Sequence, residues 1–162
     1  MNGNSPILIS GTGAMASLFA AKIAATGQRV RMLGSWQAGL KALKRGGVRL
    51  VEADGGEQFY PVEVTSDPND CRGVQLALVL VKSWQTARAA AQLAACLAPE
   101  GVALTLQNGL DNYAVLVKAL GPERAALGVT TIGATLLEPG RVRVGGNGTI
   151  SLGEHPRGAP LA

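Results

Sequence analysis

Two glycines one residue apart, followed three residues later by another small side chain, make the string Gly11-Thr12-Gly13-Ala14-Met15-Ala16. Such a string suits phosphate chemistry. Gly11 permits a tight turn, Gly13 removes the side chain that would keep a pyrophosphate from backbone N–H groups at a helix N-terminus, and Ala16 lets that helix pack closely on the preceding strand. A Walker-type phosphate loop is excluded, because no Gly-Lys-Ser/Thr follows. About twenty residues further on, a carboxylate at the end of the second strand would grip a free ribose 2′-hydroxyl. None is there. The chain reads Leu33-Gly34-Ser35 at that point and holds no acidic residue before Glu52, which favours NADP(H) over NAD(H), with Ser35 and either Arg31 or Lys41 as phosphate partners. Two further residues stand at the ends of buried strands, Lys82 after Leu-Val-Leu-Val and Asn108 after Leu-Gln. Taken singly, Lys82 reads equally as a solvated strand-end charge, and Asn108-Gly109 as a left-handed turn.

The elements that must position these residues follow from periodicity. Residues 6–10 form a continuous apolar run that stops at Gly11, as a strand buried on both faces does; residues 14–26 are apolar nearly all round, with Ala16, Ala20 and Ala24 four apart. Strand and helix signals then alternate. Strands are predicted over 29–33, 48–51, 75–81, 102–106 and 125–131; helices begin after Ser35, Ser83 and Asp111, each a suitable N-cap. Residues 57–64 suggest a hairpin-like excursion with Pro61 at an edge, and Pro99 with Gly101 is expected to break the helix that precedes them. Short extended pieces at 141–144 and 149–152 close the chain. The pattern predicts an α/β fold, a doubly wound Rossmann-type sheet, mostly parallel, with short extended strands at the C-terminal end. A dinucleotide-binding domain over residues 1–152 and a linker-like tail over 153–162 complete the expected organisation.

Composition narrows the function classes. The 162 residues carry a net charge of +4, but the first 51 hold seven basic residues and no acidic one, a pattern that suggests a local anion site near the N-terminus. Aromatic residues make up only 4%, too few for a nucleic-acid surface built on stacking. No nucleic-acid partner is expected. No apolar run approaches a membrane span, and Cys71 and Cys96 lack a neighbouring Cys or His at metal-ligand spacing, so they read as core thiols of a cytoplasmic protein with no metal and no membrane association. His155, the single histidine, reads as an exposed tail residue, and Trp84 as a packing residue.

In order and spacing, the segments ISGTGAMAS, VKSWQT, LQNGL, GVTTIGA and PGRVRVGGNGTISLG resemble the N-terminal NADP-binding domain of the ketopantoate reductase (2-dehydropantoate 2-reductase) family over residues 5–154. The resemblance implies NADPH bound over Gly11 to Ala16, Lys82 and Asn108 near the nicotinamide and substrate, and Ala134 beside the cofactor. It implies hydride transfer to a small 2-oxo acid, 2-dehydropantoate giving pantoate for pantothenate synthesis. A non-catalytic nucleotide-binding or sensor module and a reductase of another 2-oxo acid are the alternatives. Two departures stand out. Gly34-Ser35 occupies the place where the family usually carries an arginine for the 2′-phosphate, and the family's catalytic lysine and substrate-anchoring glutamate lie in a helical domain expected after Leu152 and absent from this sequence. Lys82 then acts electrostatically, toward the substrate carboxylate or the cofactor. Cofactor binding without appreciable turnover, and self-association through the surface the helical domain would cover, are the corresponding expectations.

Overall fold

The first apolar run forms strand β1 (Ile7–Ser10), whose Leu8 and Ile9 are fully buried on opposite faces. The computed structural model describes residues 5–109 and 111–156. Helix α1 (Ala14–Ala24) follows, then β2 (Val30–Leu33), parallel to β1 with Ile9 opposite Met32. Helix α2 (Gln37–Gly46) leads into β3 (Val48–Val51) and β4 (Glu57–Tyr60), after which β5 (Glu63–Thr65) pairs parallel with β2. The second half supplies β6 (Val74–Val79), α3 (Thr86–Cys96), β7 (Leu97–Thr105), α4 (Asp111–Leu120) and β8 (Ala125–Thr130). Three short strands end the chain, β9 (Ala134–Glu138), β10 (Arg141–Val144) and β11 (Ile150–Leu152).

The main sheet has the order β11-β8-β7-β6-β1-β2-β5, with six parallel strands and an antiparallel β11 at one edge. Without β11 it is the doubly wound order, with its switch point between β1 and β6. The α/β expectation holds, with one redistribution. Residues 48–51, expected in the main alternation, instead join a second mixed sheet of order β4-β3-β10-β9, and β5 takes their place beside β2. The reason lies in α1. A helix apolar all round must be covered on both sides, and α1 is enclosed between the main sheet and the second sheet, its Ala16 and Ala20 sharing one core with Ile9, Val48, Leu50 and Val142. The hairpin-like excursion over 57–64 divides accordingly, with Pro61 in the gap between β4 and β5.

The opposite face of the main sheet is covered by α3 and α4, where Leu8, Leu33, Ala89, Leu93 and Leu116 form the second core. Helix α3 ends at Cys96, before Pro99 as expected, and Pro99 and Gly101 lie within β7, next to a register irregularity in its pairing with β6. Arg141 and Arg143 alternate with Val142 and Val144 on β10, with Val142 fully buried, as the alternating pattern implied. Residues 157–162 of the expected tail lie outside the described residues. Among the described residues, no helix is long and apolar enough to cross a membrane.

Cys71 and Cys96 both sit in the second core. Burial, with the Cys96 thiol adding to it, pushes the Cys71 thiol up from 9.0 to about 11, and burial also raises that of Cys96. Both are therefore protonated at neutral pH. A thiol reagent at pH ~7.5 should label neither cysteine in the native protein and both after denaturation. Because the folded state holds its Cys71 proton more tightly than the unfolded one, the corresponding stability is intact below pH 9.0 and is lost as pH rises toward about 11. A denaturant midpoint that stays flat across that interval would contradict this assignment.

Candidate functional site

The carboxyl ends of all six parallel strands open onto one groove of about 540 Å³, a volume ordinary for a small-molecule site. Its lining follows the strand order. Ser66 follows β5; Gly34, Ser35 and Trp36 follow β2; Gly11 to Met15 follow β1; Leu80 to Ser83 follow β6; Leu106 to Asn108 follow β7; Thr130 ends β8 and Ile132 follows it. Neighbouring strands stand about 4.8 Å apart, so five gaps span roughly 24 Å. An elongated ligand fits such a groove better than a compact one.

Its centre is the turn from β1 into α1. Gly11 has φ +131°, and a Cβ there would lie 3.1 Å from the Leu80 carbonyl oxygen and 3.3 Å from the Ala16 Cβ, so both backbone conformation and packing demand glycine. Gly13 is different in kind. Its φ is −86°, which any residue adopts, and a Cβ built on it meets nothing within 4 Å. Nothing in the packing around it requires a glycine there, and the space at the α1 N-terminus is open. That terminus has neither a side-chain cap nor an acidic residue in its first turn, the arrangement in which a helix start can accept an anion.

Gly11, Thr12, Gly13, Ala14 and Met15 all line the groove, as do Ser35, Lys82, Asn108 and Ala134. Ala16 does not. It is fully buried beneath Gly11 and serves the loop by packing rather than by reaching a ligand. Thr12, also nearly buried, packs its side chain where a Cβ on Gly34 would stand, 2.6 Å from the Thr12 methyl, so Gly34 is glycine because of Thr12. Ser35 lines the groove but does not cap α2, which begins at Gln37 with Trp36 as its uncapped N-cap residue.

The basic residues of the first 51 do not form an anion site at the groove. Four of the seven basic residues of the first 51 are met in space by later carboxylates: Lys22 by Glu52 at 2.7 Å, Arg29 and Arg31 by Glu63, and Arg49 by Glu138 at 2.8 Å. None of the seven lines the groove. Arg31 donates from Nε to Glu63 Oε2 at 2.8 Å and from its terminal nitrogens to Glu63 and to the Asp70 carbonyl, which removes it as a 2′-phosphate partner. Partial burial opposes ionisation of Glu63, yet the hydrogen bonds from Arg29 and Arg31 hold its carboxyl below the usual range. Lys41 is exposed on α2, outside the groove. The cations that do line it are Lys82 and Arg88, and its described lining holds no carboxylate or histidine.

Lys82 and Asn108 both stand exposed at the groove, and Gly109 beside Asn108 has φ +93°, the left-handed turn that the dipeptide implied. What joins their two loops is a buried polar network that sequence reading missed. The Thr86 hydroxyl donates to Asn112 Oδ1 at 2.8 Å and accepts from Gln107 Nε2 at 3.0 Å, while the same Gln107 amide donates to the Val81 carbonyl at 2.7 Å. Thr105 donates to Gln107 Oε1 at 3.0 Å, and Asn112 donates to the Asn108 carbonyl at 2.7 Å. Each loop is thus tied to its neighbour through groups almost wholly withdrawn from water. The signal was present: Thr86 and Gln107 stand within the VKSWQT and LQNGL segments, but a hydrogen bond between residues 21 apart is not visible in spacing. Two further expectations fail here. Trp84 is 81% exposed rather than packed, and His155 is half-buried rather than exposed.

A family model described as ketopantoate reductase PanE/ApbA matches residues 7–157. The chain belongs to the ketopantoate reductase family. It is 35% identical over 153 residues to the 2-dehydropantoate 2-reductase of Halobacterium salinarum, covering 94% of this chain and 50% of that one. It is likewise 35% identical over 148 residues to that of Archaeoglobus fulgidus, covering 91% of this chain and 47% of the relative. A solved PanE/ApbA family ketopantoate reductase from Ralstonia eutropha superimposes with a TM-score of 0.85 at 29% identity, covering 94% of this chain and 50% of that one. The chain spans about half the length of the curated relatives it matches. These ketopantoate reductase relatives are oxidoreductases by name.

Proposed function

We propose that this chain binds NADP(H) in the groove and forms the cofactor-binding half of an enzyme that reduces 2-dehydropantoate to pantoate. The observation that carries this reading is Gly13, a glycine with an ordinary φ and open space at its Cβ position, placed at the uncapped start of α1. In this reading residues 1–152 are the dinucleotide-binding unit. Bound NADPH supplies a hydride for the substrate's ketone carbon. Gly11 to Met15 hold the pyrophosphate, and Asn108 and Ala134 flank the nicotinamide end. Lys82, whose ammonium makes no ion pair among the described residues, offers its charge to the substrate carboxylate. The described lining includes neither carboxylate nor histidine, and with Lys82 assigned to the substrate carboxylate the proton for the ketone oxygen is assigned to a residue outside this groove.

Calorimetric titration of the 162-residue chain should show one NADPH per chain, bound more tightly than NADH. Mixing chain, NADPH and 2-dehydropantoate should leave the nicotinamide absorbance almost unchanged with time. Ordinary turnover by the chain alone would overturn the assignment of the acid elsewhere. Failure to bind either nucleotide would overturn the whole reading.

A further inference from the structure

The phosphoadenosine end of the groove poses a problem that Ser35, Arg31 and Lys41 do not solve. Arg31 is engaged by Glu63 and the Asp70 carbonyl, Lys41 lies outside the groove, and Ser35 carries no charge. Arg88 differs from all three. It lines the groove, is exposed, and makes no ion pair or hydrogen bond among the described residues. Arg88 stands in the first turn of α3, a helix that packs on the Pro68–Cys71 turn, which in turn packs on β2, and Arg88 lines the groove together with the residues that follow β2.

Across the same end stands Trp36, 41% exposed, with its indole over Gly39. A Cβ on residue 39 would come within 2.3 Å of the Trp36 Cε3, so any larger residue would displace the ring. Glycine inside a helix costs about 1 kcal/mol relative to alanine, and seating this ring is the one local reason for it. The groove is thus lined by an aromatic ring just after β2 and by an exposed guanidinium on α3 with no ion pair among the described residues.

We propose that Trp36 and Arg88 form the phosphoadenosine subsite, Trp36 as the surface on which adenine stacks and Arg88 as the cation that distinguishes a 2′-phosphate from a 2′-hydroxyl. The assignment rests on the dinucleotide reading above. It relocates the phosphate-reading cation from the β2 strand end to the facing helix, which is how a chain with Gly34-Ser35 retains a preference for the phosphorylated cofactor.

The probes are 5′-AMP and 2′,5′-ADP, titrated into the full chain and its variants, because their affinity ratio isolates the 2′-phosphate. The unmodified chain should prefer 2′,5′-ADP. Arg88→Gln should reduce that preference by about ten- to a hundredfold, the worth of a charged hydrogen bond, with 5′-AMP affinity little changed. Trp36→Ala should weaken both ligands alike, by roughly five- to a hundredfold, and leave the ratio intact. Arg31→Gln should also leave it intact. A wild-type ratio in Arg88→Gln, a ratio lost in Arg31→Gln, or no preference in the unmodified chain overturns the assignment while nucleotide binding stands. Binding of neither probe, nor of NADPH or NADH, overturns the dinucleotide reading and this subsite with it.

Discussion

Gly13→Val is expected to lower affinity for NADPH by at least about a hundredfold, the cost of losing two charge-assisted contacts between backbone N–H groups and phosphate. Its melting temperature should stay within about 2 °C of the parent. The fold has no stake in that glycine: φ is −86°, and a Cβ built there meets no protein atom within 4 Å. Valine is a poorer N-cap than glycine but leaves the unfolded chain fewer states, and these small effects oppose each other. Gly11→Ala should behave in the opposite way. Its φ of +131° and the Leu80 oxygen 3.1 Å from a Cβ make it a structural position. About 2 kcal/mol of stability, and with it about 4–8 °C in melting temperature, should be lost. Isothermal titration beside calorimetric melting of the two variants separates a ligand glycine from a turn glycine. A large fall in melting temperature for Gly13→Val would show that the residue serves the fold.

The second large effect belongs to Gln107. Gln107→Leu conserves much of the volume but leaves the Val81 carbonyl without its donor and the Thr105 hydroxyl without its acceptor, and takes from Thr86 one of its partners. At about 1–3 kcal/mol for each buried group left unpaired, the sum is roughly 4 kcal/mol, or about 10 °C in melting temperature. Function should suffer at one end only. The network joins the loops bearing Lys82 and Asn108 and does not reach Trp36 or Arg88, so well below the melting point NADPH should bind more weakly while 2′,5′-ADP is unaffected. Equal weakening of both ligands would mean that the network acts on the whole groove. A melting temperature within about 2 °C of the parent would mean that water replaces the lost partners.

Residues 6–33 could be read from the chain because every level agreed there: a buried apolar run, a glycine turn at Gly11 and a small-faced helix each pointed to the same βαβ unit. The end of β2 was legible only by omission. A missing carboxylate says what is not gripped. The residue assigned to grip, Arg88, stands on α3, far from Leu33 along the chain, and only the folding of both onto one groove brings it into play.

Charge along the chain misled for a related reason. The acid-free first 51 residues suggested an anion site, yet β2 lies beside β5 in register, which sets Arg31 opposite Glu63 and cancels the excess locally. The same holds for Arg49, which reaches Glu138 across 89 positions. Pairing between distant strands decides where charge remains, and a single sequence does not display it. The second sheet was hidden likewise: residues 48–51 have the apolar pattern of any buried strand, and only the need to cover the outer face of α1 explains why they leave the main sheet.

A crystal structure of the chain grown with NADPH decides whether the groove across the six strand ends is a dinucleotide site. The predicted result is one extended NADPH whose pyrophosphate touches the backbone of Gly11 to Met15, whose adenine lies at Trp36 and whose nicotinamide lies by Asn108 and Ala134. NADPH seated elsewhere, or a groove that stays without nucleotide at saturating concentration, would contradict it.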